Sequence, residues 1–86
     1  MALSIRVKEV HPLKDMCLQV VFVNGGKKLY DVKQLLSDFG DMFSPLINDP
    51  ALFNSVYVDC GGCGIAWNSD IDISECELWE NGKEID

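Results

Sequence analysis

Residues 16–32, MCLQVVFVNGGKKLYDV, contain the clearest fold signal of the chain, a β-hairpin. Residues 16–23 are rich in β-branched and other apolar side chains, which predicts a strand in the centre of a sheet. Asn24-Gly25 follows, and this pair favours a two-residue type I′ turn because both residues tolerate a positive φ. Residues 27–32 then predict the returning strand, whose two lysines face solvent near the turn.

Two further regions of the sequence predict strands. Residues 3–10, LSIRVKEV, alternate apolar and charged side chains, which is typical of a half-buried strand that ends before Pro12. Residues 55–60 and 63–67, SVYVDC and CGIAW, predict a second hairpin in which the intervening glycines form a two-residue turn. Together with the first hairpin, these regions make about five strands.

Short helices are predicted where a capping side chain precedes an apolar turn. Two of these starts are capping boxes, Asp31 with Gln34 and Ser74 with Glu77. In a capping box, the side chain of the first residue accepts the backbone N–H of the residue three positions later, and the side chain of that later residue accepts the backbone N–H of the first. Asp49-Pro50 is the third start, because aspartate caps well and the fixed φ of proline suits the first helical position. Gly82 is well placed to end the last helix. The elements predict an α+β fold: an antiparallel sheet of about five strands built from two hairpins, with short helices packed on one face.

Length and composition set limits on this fold. The 86 residues predict a single domain, 1–86, and the content of 48% hydrophobic and 24% charged residues is ordinary for a globular protein. The longest aliphatic and aromatic run, residues 20–23, falls far short of the about 18 residues that a membrane helix needs. Charges at Arg6, Lys8 and Glu9 interrupt the stretch where a signal peptide would be apolar. We therefore expect a cytoplasmic protein that does not enter membranes.

The net charge of −7 is concentrated in the last third of the chain. Residues 1–58 contain six acids and six bases, whereas residues 59–86 contain eight acids and a single base, Lys83. Such a segment repels a phosphate backbone, so direct nucleic-acid binding is not expected. An acidic surface favours solubility and, beyond that, a basic protein partner.

Four cysteines, at positions 17, 60, 63 and 76, are the candidates for chemistry. In the predicted two-residue turn, Cys60 and Cys63 lie opposite each other and share the apolar face of the hairpin. We therefore predict two core thiols whose pKa is raised by burial. The alternative is a metal- or redox-active thiol protein that uses Cys60 and Cys63 with Cys76 or Cys17. A structural zinc site usually has two C-x-x-C-like pairs, and this sequence has one.

No other motif indicates an enzyme or a cofactor. The acids of residues 70–77, DIDISECE, lack the spacing and the terminal glutamate of an EF-hand loop, and acids here suit a helix N-terminus. His11, the single histidine, has no serine or cysteine partner that the sequence can assign to a triad. We therefore predict a protein that is not an enzyme and takes no cofactor.

Several segments resemble one small bacterial family, known as domain of unknown function 2442. They are Asn24-Gly25, LYDVKQLL (29–36), FSPLINDPALF (43–53) and VYVD–GG–GIAWNSDIDISECELWENG (56–82). Two positions depart from the family pattern: Trp79 stands where a tyrosine is usual, and the cysteines at 60 and 63 do not belong to it. The second departure favours incidental thiols.

The resemblance implies an α+β fold with no established activity. Some members of the family continue into a helix-turn-helix domain, which we do not expect in residues 1–86. Similar genes accompany a second small protein in the manner of toxin–antitoxin pairs, so the resemblance also implies a partner.

These observations predict a non-catalytic interaction or regulatory module, an antitoxin-like partner of a small basic protein. The predicted partner-binding residues are the acids that follow the second hairpin: Asp70, Asp72, Glu75 and Glu80. Assembly into a homo-oligomer through an unpaired edge such as strand 3–10 is a further expectation.

Overall fold

The structure, a computed structural model, describes residues 5–35 and 43–85 of the chain. Its seven described strands are β1 (Val7–Pro12), β2 (Cys17–Phe22), β3 (Lys27–Asp31), β4 (Tyr57–Asp59), β5 (Gly64–Ala66), β6 (Asp72–Ser74) and β7 (Lys83–Ile85). They form two antiparallel sheets, a first sheet of order β1-β2-β3-β7 and a second sheet of order β4-β5-β6. Helix α1 begins at residue 33 and is described through residue 35, and it is followed by α2 (Ser44–Asn48), α3 (Pro50–Phe53) and α4 (Glu75–Asn81).

The α+β prediction is confirmed, with a larger number of strands than about five and with two sheets in place of one. The additional strands are β6 and β7, which contain three residues each. Alternation is not visible over three residues, and these strands exist because they pair with β5 and β3.

The first hairpin forms as predicted, but the predicted type I′ turn is wrong. The loop has three residues: the Phe22 N–H donates to Gly26 O at 2.8 Å, and the Gly25 N–H donates to Phe22 O at 2.9 Å. Gly25 has φ +92°, whereas Asn24 is not among the described residues of positive φ. This is the three-residue loop whose last residue is left-handed and forms a bulge.

Strand β1 continues through Pro12, so the predicted break before this residue is also wrong. Proline lacks a backbone N–H, and β1 tolerates it because the strand lies at the edge of the first sheet. The chain turns one residue later, where the Leu13 N–H donates to Cys17 O at 2.8 Å.

Two of the three predicted caps are confirmed and one is corrected. The Asp49 carboxylate accepts the Leu52 N–H at 3.2 Å, and the Ser74 hydroxyl accepts the Glu77 N–H at 3.2 Å. At Asp31, however, the carboxylate accepts from Lys33 and not from Gln34. The side chain of Glu77 does not complete its capping box either, because it accepts the Tyr30 hydroxyl at 2.7 Å.

A single cluster of buried side chains draws on both sheets. It includes Leu18, Val20 and Phe22 of the first sheet and Ile65 of the second sheet, all fully buried. Burial of a large aliphatic or aromatic side chain contributes about 1.5–3 kcal/mol, so this shared cluster is the main force that holds the sheets together.

The tip of the second hairpin is bonded directly to the start of β1. Gly62 O accepts the Val7 N–H at 2.9 Å, and Gly61 O accepts from the Arg6 guanidinium at 3.3 Å. Helix α4 adds a second connection, because it packs against β3 of the first sheet and against β5 and β6 of the second. These two connections fix the second sheet relative to the first.

Candidate interaction surface and cysteine loop

The second sheet has one face turned to the core and one turned outward. One cross-strand row contains Val58, Ile65 and Ile73. Ile65 is fully buried and Ile73 is largely buried, and both belong to the core. Side chains alternate along a strand, so the neighbouring rows face outward. These rows contain Tyr57, Asp59, Asp72 and Ser74, which we call the acidic face.

A shallow concavity of about 180 Å³ lies on the acidic face. Asp59 and Asp72 both line it, and Gly64 of the central strand forms part of its floor. A Cβ at Gly64 would overlap Ile73 O, so no larger residue fits at this position of the floor. The concavity therefore presents two carboxylates around an open surface.

The structure brings together only some of the four acids predicted to bind a partner. Asp72 is exposed on edge strand β6, inside the acidic face. Asp70 lies in the preceding loop. The half-buried Glu75 lies beside the hairpin loop of residues 60–63, because its N–H donates to Cys63 O at 3.1 Å. Glu80 is five residues further along α4, which places it about 140° around the helix axis from Glu75.

Sequence reasoning missed Asp59 and Tyr57 as members of this surface. Asp59 pairs with Gly64, and Tyr57 pairs with Ala66, which in turn pairs with Asp72. The predicted two-residue turn gives these same pairs, so the missing signal was not the register but strand β6, whose pairing with β5 brings Asp72 beside them. Tyr57 is 46% exposed, so its ring is accessible on this face.

The carboxylates of this region have no cationic partners in the described chain. Its two salt bridges are Glu9–His11 at 2.8 Å and Asp31–Lys33 at 3.5 Å, both in the first half of the sequence. No acid from residue 59 to residue 84 forms such a pair among the described residues. The acidic face is therefore an uncompensated negative surface.

The prediction that the two loop thiols point into the core is wrong. Asp59 and Gly64 form the last pair of the ladder, so the loop has four residues, 60–63, where two were predicted. Asp59 O accepts the N–H groups of Gly62 and Cys63 at 2.9 and 3.1 Å. Both Cys60 and Cys63 are exposed as a result.

The pKa of Cys60 is raised from 9.0 to about 11. A hydrogen bond with the Cys63 side chain is the largest cause, because it stabilises the neutral thiol, and the negative charge of Asp59 is the next. The predicted direction is confirmed, but burial is a minor contribution. Cys60 is therefore a protonated, weakly nucleophilic thiol at neutral pH.

The alternative metal site receives no third ligand from the described residues. Within the ranges 5–35 and 43–85, no three His, Cys, Asp or Glu side chains are placed to hold one ion. Cys17 is half-buried on β2, and Cys76 is exposed on α4.

Comparison with known proteins places these features in a family. A protein-family model described as "Protein of unknown function (DUF2442)" matches residues 7–84, nearly the whole chain, which confirms the resemblance. The matched range includes both hairpins, the acidic face and α4. No curated protein and no solved structure matches the chain. Among the residues that the structure describes, no helix has the length and apolar character needed to cross a membrane.

Proposed function

We propose, for a chain that belongs to the DUF2442 family of proteins of unknown function, the role of a non-catalytic interaction module that binds a basic segment of a partner protein. The acidic face is the binding surface in this proposal. Asp59 and Asp72 lie at its centre, and Asp70 and Glu75 lie at its margins.

The observation that carries the proposal is an exposed aromatic side chain among unpaired carboxylates on one sheet face. Tyr57 is 46% exposed, and Asp72 lies in the same cross-strand row. Tyrosine is enriched at protein interfaces because it combines a large apolar ring with a polar end. Carboxylates without cationic partners attract arginine and lysine and increase the rate of association.

Self-association through strand 3–10 stays a prediction, and the described part of β1 leaves less free edge for it. The Val7 N–H is bonded to Gly62 O, so the edge is already occupied at this residue. A second copy would therefore have to pair with β1 beyond residue 7.

The test is a titration of isotope-labelled protein with a synthetic peptide that alternates arginine and valine, followed by NMR. We expect the largest shift changes at Tyr57, Asp59 and Asp72, and weaker binding as salt is added. The double variant Asp59→Lys/Asp72→Lys should lose about tenfold or more in affinity, because repulsion replaces attraction at the centre of the surface.

The matched control is Glu80→Lys/Glu84→Lys, which makes the same change of charge away from the acidic face. This variant should retain most of the affinity, and urea denaturation should show both variants folded. Equal losses in the two variants would mean that the peptide senses only net charge, and no loss in either variant would refute the proposed surface.

A further inference from the structure

We propose that Cys60 and Cys63 form a reversible intramolecular disulfide across the tip of the second hairpin, by exchange with a low-molecular-weight disulfide. Both cysteines line the concavity of the acidic face, but the exchange itself needs no partner and takes place whether or not one binds.

The two thiols are neighbours that share the same access to solvent. Both are exposed, and the Cys63 side chain is the first cause of the raised pKa of Cys60, as expected for neighbouring thiols. They directly follow and precede Asp59 and Gly64, the last pair of the ladder. Paired residues of antiparallel strands have Cα atoms about 4.5–5.5 Å apart, and a disulfide needs a Cα separation of about 4.4–6.8 Å.

The loop backbone keeps the two cysteines close. Asp59 O accepts the N–H groups of both Gly62 and Cys63, which folds the four-residue loop back on its own start. The Cys63 thiol also donates to Asp59 O at 3.6 Å, which holds its sulfur near the residue that directly precedes Cys60. Cys17 lies on β2, and Cys76 lies on α4 directly after Glu75, whose N–H donates to Cys63 O, so Cys76 is the competing thiol that a variant must remove.

The exchange proceeds in two balanced steps. The thiolate of one cysteine attacks a sulfur of the small disulfide, whose S–S bond breaks, and the released thiolate takes up a proton. The second cysteine then loses its proton to solvent and attacks the protein sulfur of the mixed disulfide, which releases a second small thiol. Two electrons pass from the cysteines to the small disulfide, which leaves as two thiols.

The raised pKa of Cys60 affects the reverse reaction as well. A thiol with a pKa of about 11 is mostly protonated at neutral pH, so exchange through Cys60 accelerates as the pH rises. A thiol of high pKa is also a poor leaving group, so the disulfide is reduced slowly once it has formed.

The bond would act on the contact that joins the two sheets. Gly61 and Gly62, the residues enclosed by the disulfide, accept hydrogen bonds from Arg6 and Val7 at the start of β1. Oxidation should therefore restrict this tip, raise the melting temperature and slow hydrogen exchange at the Val7 amide.

The experiment incubates the reduced protein with glutathione disulfide, alkylates the remaining thiols and identifies them by mass spectrometry. We expect one peptide pair linked through Cys60 and Cys63, whereas the exposed Cys76 is either alkylated or carries one glutathione. In a Cys17→Ser/Cys76→Ser background, Cys60→Ser and Cys63→Ser should each stop at the mixed disulfide with one glutathione attached. The Cys17→Ser/Cys76→Ser variant should form the internal bond as the natural chain does.

Two results would overturn the proposal. One is a natural chain that carries glutathione on both Cys60 and Cys63 without closing the bond, since this would show sulfurs too far apart. The other is a product in which the disulfide joins two chains in place of two cysteines of one chain, and whose rate of formation falls when the protein is diluted. Circular dichroism of the serine variants separates either result from simple unfolding.

Discussion

At the tip of the first hairpin, a left-handed glycine has open space around it, whereas at the tip of the second hairpin such a glycine is pressed against another strand. Gly25 has φ +92°, and a Cβ there would meet no atom within 4 Å. Gly62 has φ +110°, and a Cβ there would lie 2.9 Å from both Val7 O and the Arg6 Cβ. Each tip contains a Gly-Gly pair, so the same two residues meet different steric conditions at the two tips.

The comparison shows which contacts shape each tip. The first tip is closed by its own neighbours, through bonds from Phe22 to Gly26 and from Gly25 to Phe22. The second tip depends in addition on β1, which is 55 residues away in sequence at the contact of Arg6 with Gly61. A change at the second tip should therefore disturb the whole fold more than a change at the first.

The largest expected effect is that of Gly62→Ala. The methyl group must fit against the Val7 carbonyl in a backbone conformation that L-residues rarely adopt, and we expect a loss of about 3 kcal/mol of unfolding free energy. Urea denaturation measures this loss. Gly61→Ala is the matched control, because φ is also positive there but the space is open, and it should lose about 1 kcal/mol. Similar losses in the two variants would show that the contact with β1 adds little.

A smaller effect is expected for Gly25→Ala at the first tip. Alanine must adopt a positive φ without any steric clash, so the expected loss is about 1 kcal/mol, close to that of Gly61→Ala. Gly25→Asn should lose less, because asparagine tolerates the left-handed region. A loss at Gly25→Ala as large as that at Gly62→Ala would remove the distinction between the tips.

The smallest effect on stability, but a clear effect on chemistry, is expected for Cys63→Ala. The hydrogen bond with Cys63 is the largest cause of the raised Cys60 pKa, so this variant should lower the pKa from about 11 toward 9.0. Asp59→Asn should lower it by a smaller amount, because the Asp59 charge is the second cause. Thiolate absorbance, measured in a background without Cys17 and Cys76, reports the titration. An unchanged pKa in Cys63→Ala would contradict the contact between the two thiols.

Local signals predicted the elements that depend on a few adjacent residues. The hairpin around Asn24-Gly25 and the caps at Asp49 and Ser74 are present, because turn and capping preferences act within about four residues. Strand β1 also has the predicted faces, with Val7 buried and Lys8 exposed. These predictions needed no knowledge of the rest of the chain.

Predictions failed where several local solutions have similar energies. Asn24-Gly25 fits a two-residue turn and also the end of a three-residue loop, and the register between β2 and β3 decides between them. The second hairpin has the predicted register, but Cys60 and Cys63 do not extend its ladder, so both thiols lie in the loop and are exposed. Of the four acids predicted to bind a partner, Asp72 is the one that lines the concavity of the acidic face, and its role in binding stays a prediction.

The amino-acid sequence by itself determined the α+β class, the positions of the two hairpins and the concentration of negative charge after residue 58. The tertiary structure alone decided the lengths of both loops, the exposure of Cys60 and Cys63, and the contact of Gly62 with Val7. Local preferences differ by about 1 kcal/mol, so they leave close alternatives open. Burial of a shared core and pairing between distant strands involve larger free energies, and these select one alternative.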